Sequence, residues 1–68
     1  MDFTKRFNEL LKTSNKTQVQ IAKEIHVSKQ CVSDYKSGKS FPSLDTLFLI
    51  CHSLEVSADY LLGLSDQY

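Results

Sequence analysis

Lys29, Gln30 and Ser33 lie within one short stretch and offer a basic side chain, an amide and a hydroxyl. Those are the groups that hydrogen-bond the edges of nucleic-acid bases. Spacing decides whether they act together. Val32 and Tyr35 recur at i, i+3 and mark the inward side of a helix, which leaves Lys29, Gln30 and Ser33 pointing outward. Ser28 stands just before them as a good N-cap, because its hydroxyl accepts an orphan backbone N–H of the helix that follows. Other chemistry is thin. Cys51 and His52 are neighbours on a helix, so they face different ways and do not chelate one ion. Cys31 and His26 lack the spacing of zinc ligands. There is no glycine-rich phosphate loop, and a chain this short offers no cleft to gather cysteine, histidine and acid into a catalytic set. We therefore expect no enzyme, no metal and no cofactor.

The elements that must position the three polar residues come next. Ile21, Ala22 and Ile25 fall at i, i+1, i+4, one side of a preceding helix. His26-Val27-Ser28 breaks that period. Ala22 sits where the two helices cross, and its small side chain lets them approach. Thr17-Gln18-Val19-Gln20 is a capping box that starts the first of the pair. Two short helices joined by a tight turn form the helix-turn-helix unit, whose second helix enters the DNA major groove.

Around this unit the chain supplies three more helices. Phe3, Phe7, Leu10 and Leu11 predict an amphipathic helix over residues 3–13. Ser14-Asn15-Lys16 ends it, with Asn15 suited to a left-handed C-cap. The clear loop is Ser37-Gly38-Lys39-Ser40-Phe41-Pro42, where Gly38 suits a C′ position and Pro42 keeps its predecessor out of the helix. Ser43 caps a fourth helix, with Asp45 in its first turn and Leu44, Leu47, Ile50, Cys51 and Leu54 as its apolar face. Glu55-Val56 is a short turn. Ser57 caps a fifth helix, in which Leu61 and Leu62 are apolar, and Gly63 ends it. The expected fold is all-α: a compact five-helix bundle over residues 1–64, with residues 65–68 as a tail that frays.

Sixty-eight residues make one domain. A domain of this size buries only about 60% of its unfolded surface, so its stability should be marginal. Net charge is zero, but it is unevenly spread. Residues 1–40 hold all eight basic side chains and four acidic ones, while residues 41–68 hold four acidic ones alone. Such a chain can present one basic face despite a neutral sum. No apolar run is long enough to span a membrane, and the N-terminus has no signal-peptide pattern. Two cysteines in helices predict reduced thiols and a cytoplasmic protein.

The ordered pieces resemble the lambda-repressor-like, Cro/repressor class of helix-turn-helix DNA-binding domains. They are Thr17-Gln18, Ile21-Ala22, Val27-Ser28, Val32, Tyr35, Ser37-Gly38-Lys39, Pro42-Ser43-Leu44, Leu54-Glu55-Val56-Ser57 and Asp59-Tyr60-Leu61-Leu62-Gly63-Leu64. The resemblance covers roughly residues 6–64 without gaps. It implies a transcriptional regulator of double-stranded DNA, a repressor of phage or mobile-element type. It implies base contacts from Lys29, Gln30 and Ser33. Phosphate contacts fall to Gln18 and to the loop of Ser37 and Lys39, with Thr17, Ser28 and Lys36 beside them. It also implies a homodimer that reads two half-sites about one helical turn apart. Several positions depart from the pattern. His26 and Asn15 stand where the family has glycine, and both residue types tolerate positive φ. Leu11 and Lys36 stand where the family pairs an arginine with a glutamate. Lys16 stands where the family prefers an apolar residue.

Tyr60, Leu64 and Tyr68 near the end are candidates for the homodimer seam. The alternative to DNA reading is an antitoxin or adaptor module that binds a partner protein through its C-terminal helices. If one domain neutralises about four phosphates, log K falls against log salt with a slope of about −3.6.

Overall fold

Thr17 opens the helix-turn-helix as its sequence predicts. Its hydroxyl accepts from the Gln20 N–H, and the Gln20 side chain accepts from the Thr17 N–H at 2.8 Å. This is seen in a computed structural model describing residues 1–68. The helices run in the order α1 (Phe3–Thr13), α2 (Gln18–Glu24), α3 (Lys29–Ser37), α4 (Leu44–Leu54) and α5 (Ala58–Leu62). Ser28, Ser43 and Ser57 cap α3, α4 and α5 through the same hydroxyl-to-N3 bond. There are no strands.

Four helix ends share one stop. His26, Gly38, Glu55 and Gly63 all take positive φ. Across each of them the next amide reaches back to the helix: Val27 N–H to Ala22 O, Lys39 N–H to Asp34 O, Val56 N–H to Cys51 O and Leu64 N–H to Asp59 O. This is the Schellman arrangement, which satisfies carbonyls that the helix leaves orphaned. Asn15 also has φ 60°, in the loop after α1. The left-handed positions expected at Asn15 and His26 are therefore present. Glu55 adds a third non-glycine position that its short turn did not reveal.

The core is one cluster. Phe3, Phe7 and Leu10 of α1 meet Ile21, Ala22 and Ile25, Val32 and Tyr35 of α3, Ile50 of α4, Val56, and Leu61 of α5. Phe3 and Phe7 stack with centroids 5.2 Å apart, and Tyr35 meets both rings edge-on. Burial pushes the Tyr35 phenol up to about 12, with the Cys31 thiol beside it adding to the shift. α3 is thus anchored by Val32 and Tyr35, as its spacing predicts.

Two expectations change. The apolar face of α4 is narrower than predicted: Ile50 is buried and Leu47, Cys51 and Leu54 are partly so, but Leu44 is 84% exposed. At the first position of α4 it overhangs the end of the core. The tail, expected to fray, is placed against α1 and α5. Arg6 donates to the carbonyls of Tyr60, at 2.6 Å, and Ser65, and to the Asp66 carboxylate at 3.0 Å. Its guanidinium lies 4.3 Å over the Tyr60 ring, and Tyr68 packs edge-on against the same ring. Cation and aromatic face attract in this geometry, so the tail is pinned back onto α1 and α5.

Candidate nucleic-acid interface

α3 turns Val32 and Tyr35 inward and leaves two polar stripes outside. One runs Lys29, Ser33, Lys36; the other runs Gln30, Asp34, Ser37. Lys29, Gln30, Lys36 and Ser37 are exposed, while Ser33 and Asp34 are half-buried. Gln18, at the start of α2, lies across the first stripe. Its Nε2 donates to Ser33 Oγ at 2.7 Å and to Lys29 O at 3.2 Å, and its Oε1 stands 3.5 Å from Lys36 Nζ. One amide therefore touches three residues of α3 and fixes α2 against it. Both Nε2 hydrogens are engaged inside the protein. The outward groups at this end of α2 are the backbone N–H groups of Gln18 and Val19, which have no partner in the chain.

The second stripe is also pre-set. Gln30 Nε2 donates to Asp34 Oδ1 at 3.1 Å. One hydrogen of that amide and its carbonyl oxygen remain free, and these are the two groups that pair with adenine N7 and N6–H. Asp34 thus holds Gln30 in place. Past α3, Ser37 Oγ donates to Asp34 O and accepts from the Lys39 N–H, which holds the loop close to the helix end. Lys39 itself is exposed. Thr17 and Ser28 are exposed too, each with its hydroxyl oxygen engaged as a cap.

The basic face is smaller than the residue list suggests. Arg6 is used in the tail clamp. Lys16 Nζ bonds Glu24 Oε1 at 2.8 Å and Ser53 O at 2.9 Å, and Ser53 Oγ donates to the same carboxylate. Lys16 therefore ties the α1–α2 loop to the ends of α2 and α4, a polar clasp where the family has apolar packing. The Lys16 ammonium, with Ser53 second, holds the Glu24 carboxyl below its ordinary range. The remaining lysines take part in no ion pair. Lys12, Lys16 and Lys36 meet Asn8, Leu11 and Gln18 around an open notch of about 270 Å³ beside the start of α2.

Sequence reasoning missed Asn8 and Lys12. Asn8 Nδ2 donates to Thr4 O at 2.8 Å and to Lys36 O at 2.9 Å. It joins α1 to the end of α3, where the family uses an ion pair. The signal was available: Asn8 stands one turn before Leu11, on the stripe of α1 that faces Lys36. Tyr60, Leu64 and Tyr68 do not form one group. Tyr60 is half-buried under Arg6 and Tyr68, and burial, with Tyr68 beside it, raises its phenol above the ordinary value. Leu64 is 76% exposed. No group of histidine, cysteine, aspartate and glutamate is placed to hold a metal ion, and no helix is long and apolar enough to cross a membrane.

An all-helical bundle with a capped two-helix reader defines a class, and the comparisons identify it. The chain belongs to the helix-turn-helix family, whose pattern it matches over residues 8–61. It is similar to the cryptic phage CTXphi transcriptional repressor RstR of Vibrio cholerae, 38% identical over 93% of this chain and 56% of that protein. It is also similar to the HTH-type transcriptional activator BcrR of Enterococcus faecalis, 34% identical over 93% of this chain and 31% of that one. A third relative is the HTH-type transcriptional regulator ImmR of Bacillus subtilis, 32% identical over 93% of this chain and 50% of that protein. The chain thus spans between about a third and just over half the length of these relatives. No solved structure is a significant match.

Proposed function

We propose that this chain is the DNA-reading domain of a transcription regulator, acting as a repressor of phage or mobile-element type in the cytoplasm. α3 lies in the major groove. Lys29, Gln30 and Ser33 meet base edges. Thr17, Gln18, Ser28, Lys36, Ser37 and Lys39 hold the phosphates on either side, with Gln18 acting through its backbone N–H while its side chain positions Ser33 and Lys36. The domain works as a homodimer on its operator and carries out no catalytic step. The relatives include a phage repressor, which agrees with this reading, and an activator, which does not.

The observation that carries this reading is the Gln18 bridge. A surface glutamine joined to Ser33, Lys29 and Lys36 sets the reading face in advance, so less side-chain freedom is lost when DNA arrives. The test is fluorescence anisotropy with a short duplex at low salt. Alanine at Lys29, Gln30, Lys36 and Lys39 together should abolish binding. A protein-binding module would keep its partner after those changes and lose it on changes to its C-terminal helices.

A further inference from the structure

Asp34 stands among the residues that face DNA, yet its charge has no task toward that partner. Val32 and Tyr35 turn inward. At about 100° per residue, Gln30 and Ser37 point most directly away from them, and Ser33 and Asp34 lie about 50° to either side. Ser33 and Asp34 are equally half-buried, so Asp34 holds on one flank of α3 the place that Ser33 holds on the other. Its carboxylate has no cation: none of the three ion pairs includes it. Gln30 Nε2 is the one side-chain group it accepts from, through Oδ1 at 3.1 Å. Two carboxylate oxygens offer about four acceptor sites, and Oδ2 has no partner in the chain.

We infer that Asp34 is itself a base-reading residue, whose Oδ2 accepts from the N4–H of a cytosine in the major groove. The inference rests on the DNA-binding reading and deepens it. An acceptor-only charge brought among phosphates is repelled and desolvated unless it meets a donor. The major groove offers two, adenine N6–H and cytosine N4–H. In an A·T pair the N6 amino group lies between adenine N7 and thymine O4, so acceptors repel a carboxylate from both sides. In a C·G pair the N4 amino group has guanine O6 on one side only, and the other side is open to a carboxylate. Gln30 has the complementary need. Its free hydrogen and free carbonyl oxygen suit adenine. The Gln30–Asp34 bond therefore joins two readings in one relay: cytosine N4–H to Oδ2, one Gln30 Nε2–H to Oδ1, and the other Nε2–H to adenine N7. Residues one turn apart stand about 6 Å apart along α3, and bases stack about 3.4 Å apart. The cytosine thus falls within two base pairs of the adenine, at a spacing the relay fixes.

Selection of duplexes from a random pool by the wild-type chain, followed by anisotropy on the selected duplex, tests this. Each half-site should carry a cytosine within two base pairs of an adenine. N4-methylcytosine at that position keeps the Watson–Crick pair and replaces the groove-facing N–H by a methyl group. It should weaken wild-type binding at least about tenfold. D34A, with wild-type circular dichroism, should tolerate the methyl group within about twofold and select no base at that position. If Asp34 only holds Gln30, D34A relaxes the adenine position and stays as sensitive to the methylated cytosine as wild type, which overturns the assignment. Selected half-sites without the cytosine, or a wild type that binds the methylated duplex equally well, overturn it too. In both cases the tight binding itself leaves the DNA-binding reading standing. A wild type that binds no duplex defeats that reading, and the assignment with it.

Discussion

Asp34 is the residue whose place the amino-acid types alone do not settle. A carboxylate on a DNA-reading helix repels phosphate, yet here it accepts from Gln30 Nε2 and fixes which way the amide faces. Asp34→Ala should therefore act in two directions. Affinity for random duplex should rise about two- to fivefold as a negative charge leaves the interface. Preference for the base that Gln30 meets should fall by about 1 kcal/mol as the amide loosens. Anisotropy on a matched and a mismatched duplex reads both effects. Lys16 makes the second residue-scale case. Its ammonium holds the Glu24 carboxyl below the ordinary range, so the folded pKa is depressed relative to the unfolded one. The stability this contributes is full above the ordinary carboxylate pKa and is lost as pH falls through the lowered value. Thermal melts from pH 6 to 2 should show Lys16→Met with a shallower acid limb than wild type. The types and spacing of Lys29, Gln30 and Ser33 were legible in the chain. The roles of Arg6, Lys16 and Gln18 were not, because each depends on a partner more than seven residues away that only the packed fold brings near.

At the scale of elements the local chemistry was highly legible. Thr17, Ser28, Ser43 and Ser57 each begin a helix where their hydroxyls predict it. Thr17→Ala should cost about 1 kcal/mol, which lowers the melting temperature of a domain this size by roughly 4–8 °C. The helix ends were half legible. Gly38 and Gly63 announce their stops, whereas Glu55 takes φ 56° without any residue-type signal. The positive φ at His26 and Glu55 is steric cost held in place by the Val27 and Val56 back-bonds. His26→Gly should consequently raise stability by about 0.5–1 kcal/mol, the relief of left-handed strain less the greater entropy that glycine loses on folding. A melt that falls instead would show that the imidazole makes a contact worth more than the strain. The extent of the α4 apolar face was misjudged because periodicity counts Leu44 with Ile50, while the first turn of a helix extends beyond the core it caps.

For the whole molecule the question is how a neutral chain holds an anionic partner. The sequence separates its charges into halves, and folding then withdraws Arg6 and Lys16 into internal bonds. What remains around α3 is Lys29, Lys36 and Lys39, with Lys12 beside the notch. Arg6→Met should release the tail and cost about 2 kcal/mol through lost charged hydrogen bonds and cation–π contact, without changing DNA affinity per folded molecule. Lys36→Ala and Lys39→Ala should each reduce the salt slope by about 1 and weaken binding evenly across sequences. The measurement that tests the account most directly is a titration of isotope-labelled protein with a short duplex, followed by amide shifts as salt rises. The account predicts movement in residues 17–20 and 28–40, with log K falling against log salt at a slope of about −3.6. Shifts confined to residues 56–68, or none at all at low salt, would contradict it and make α3 an ordinary surface helix.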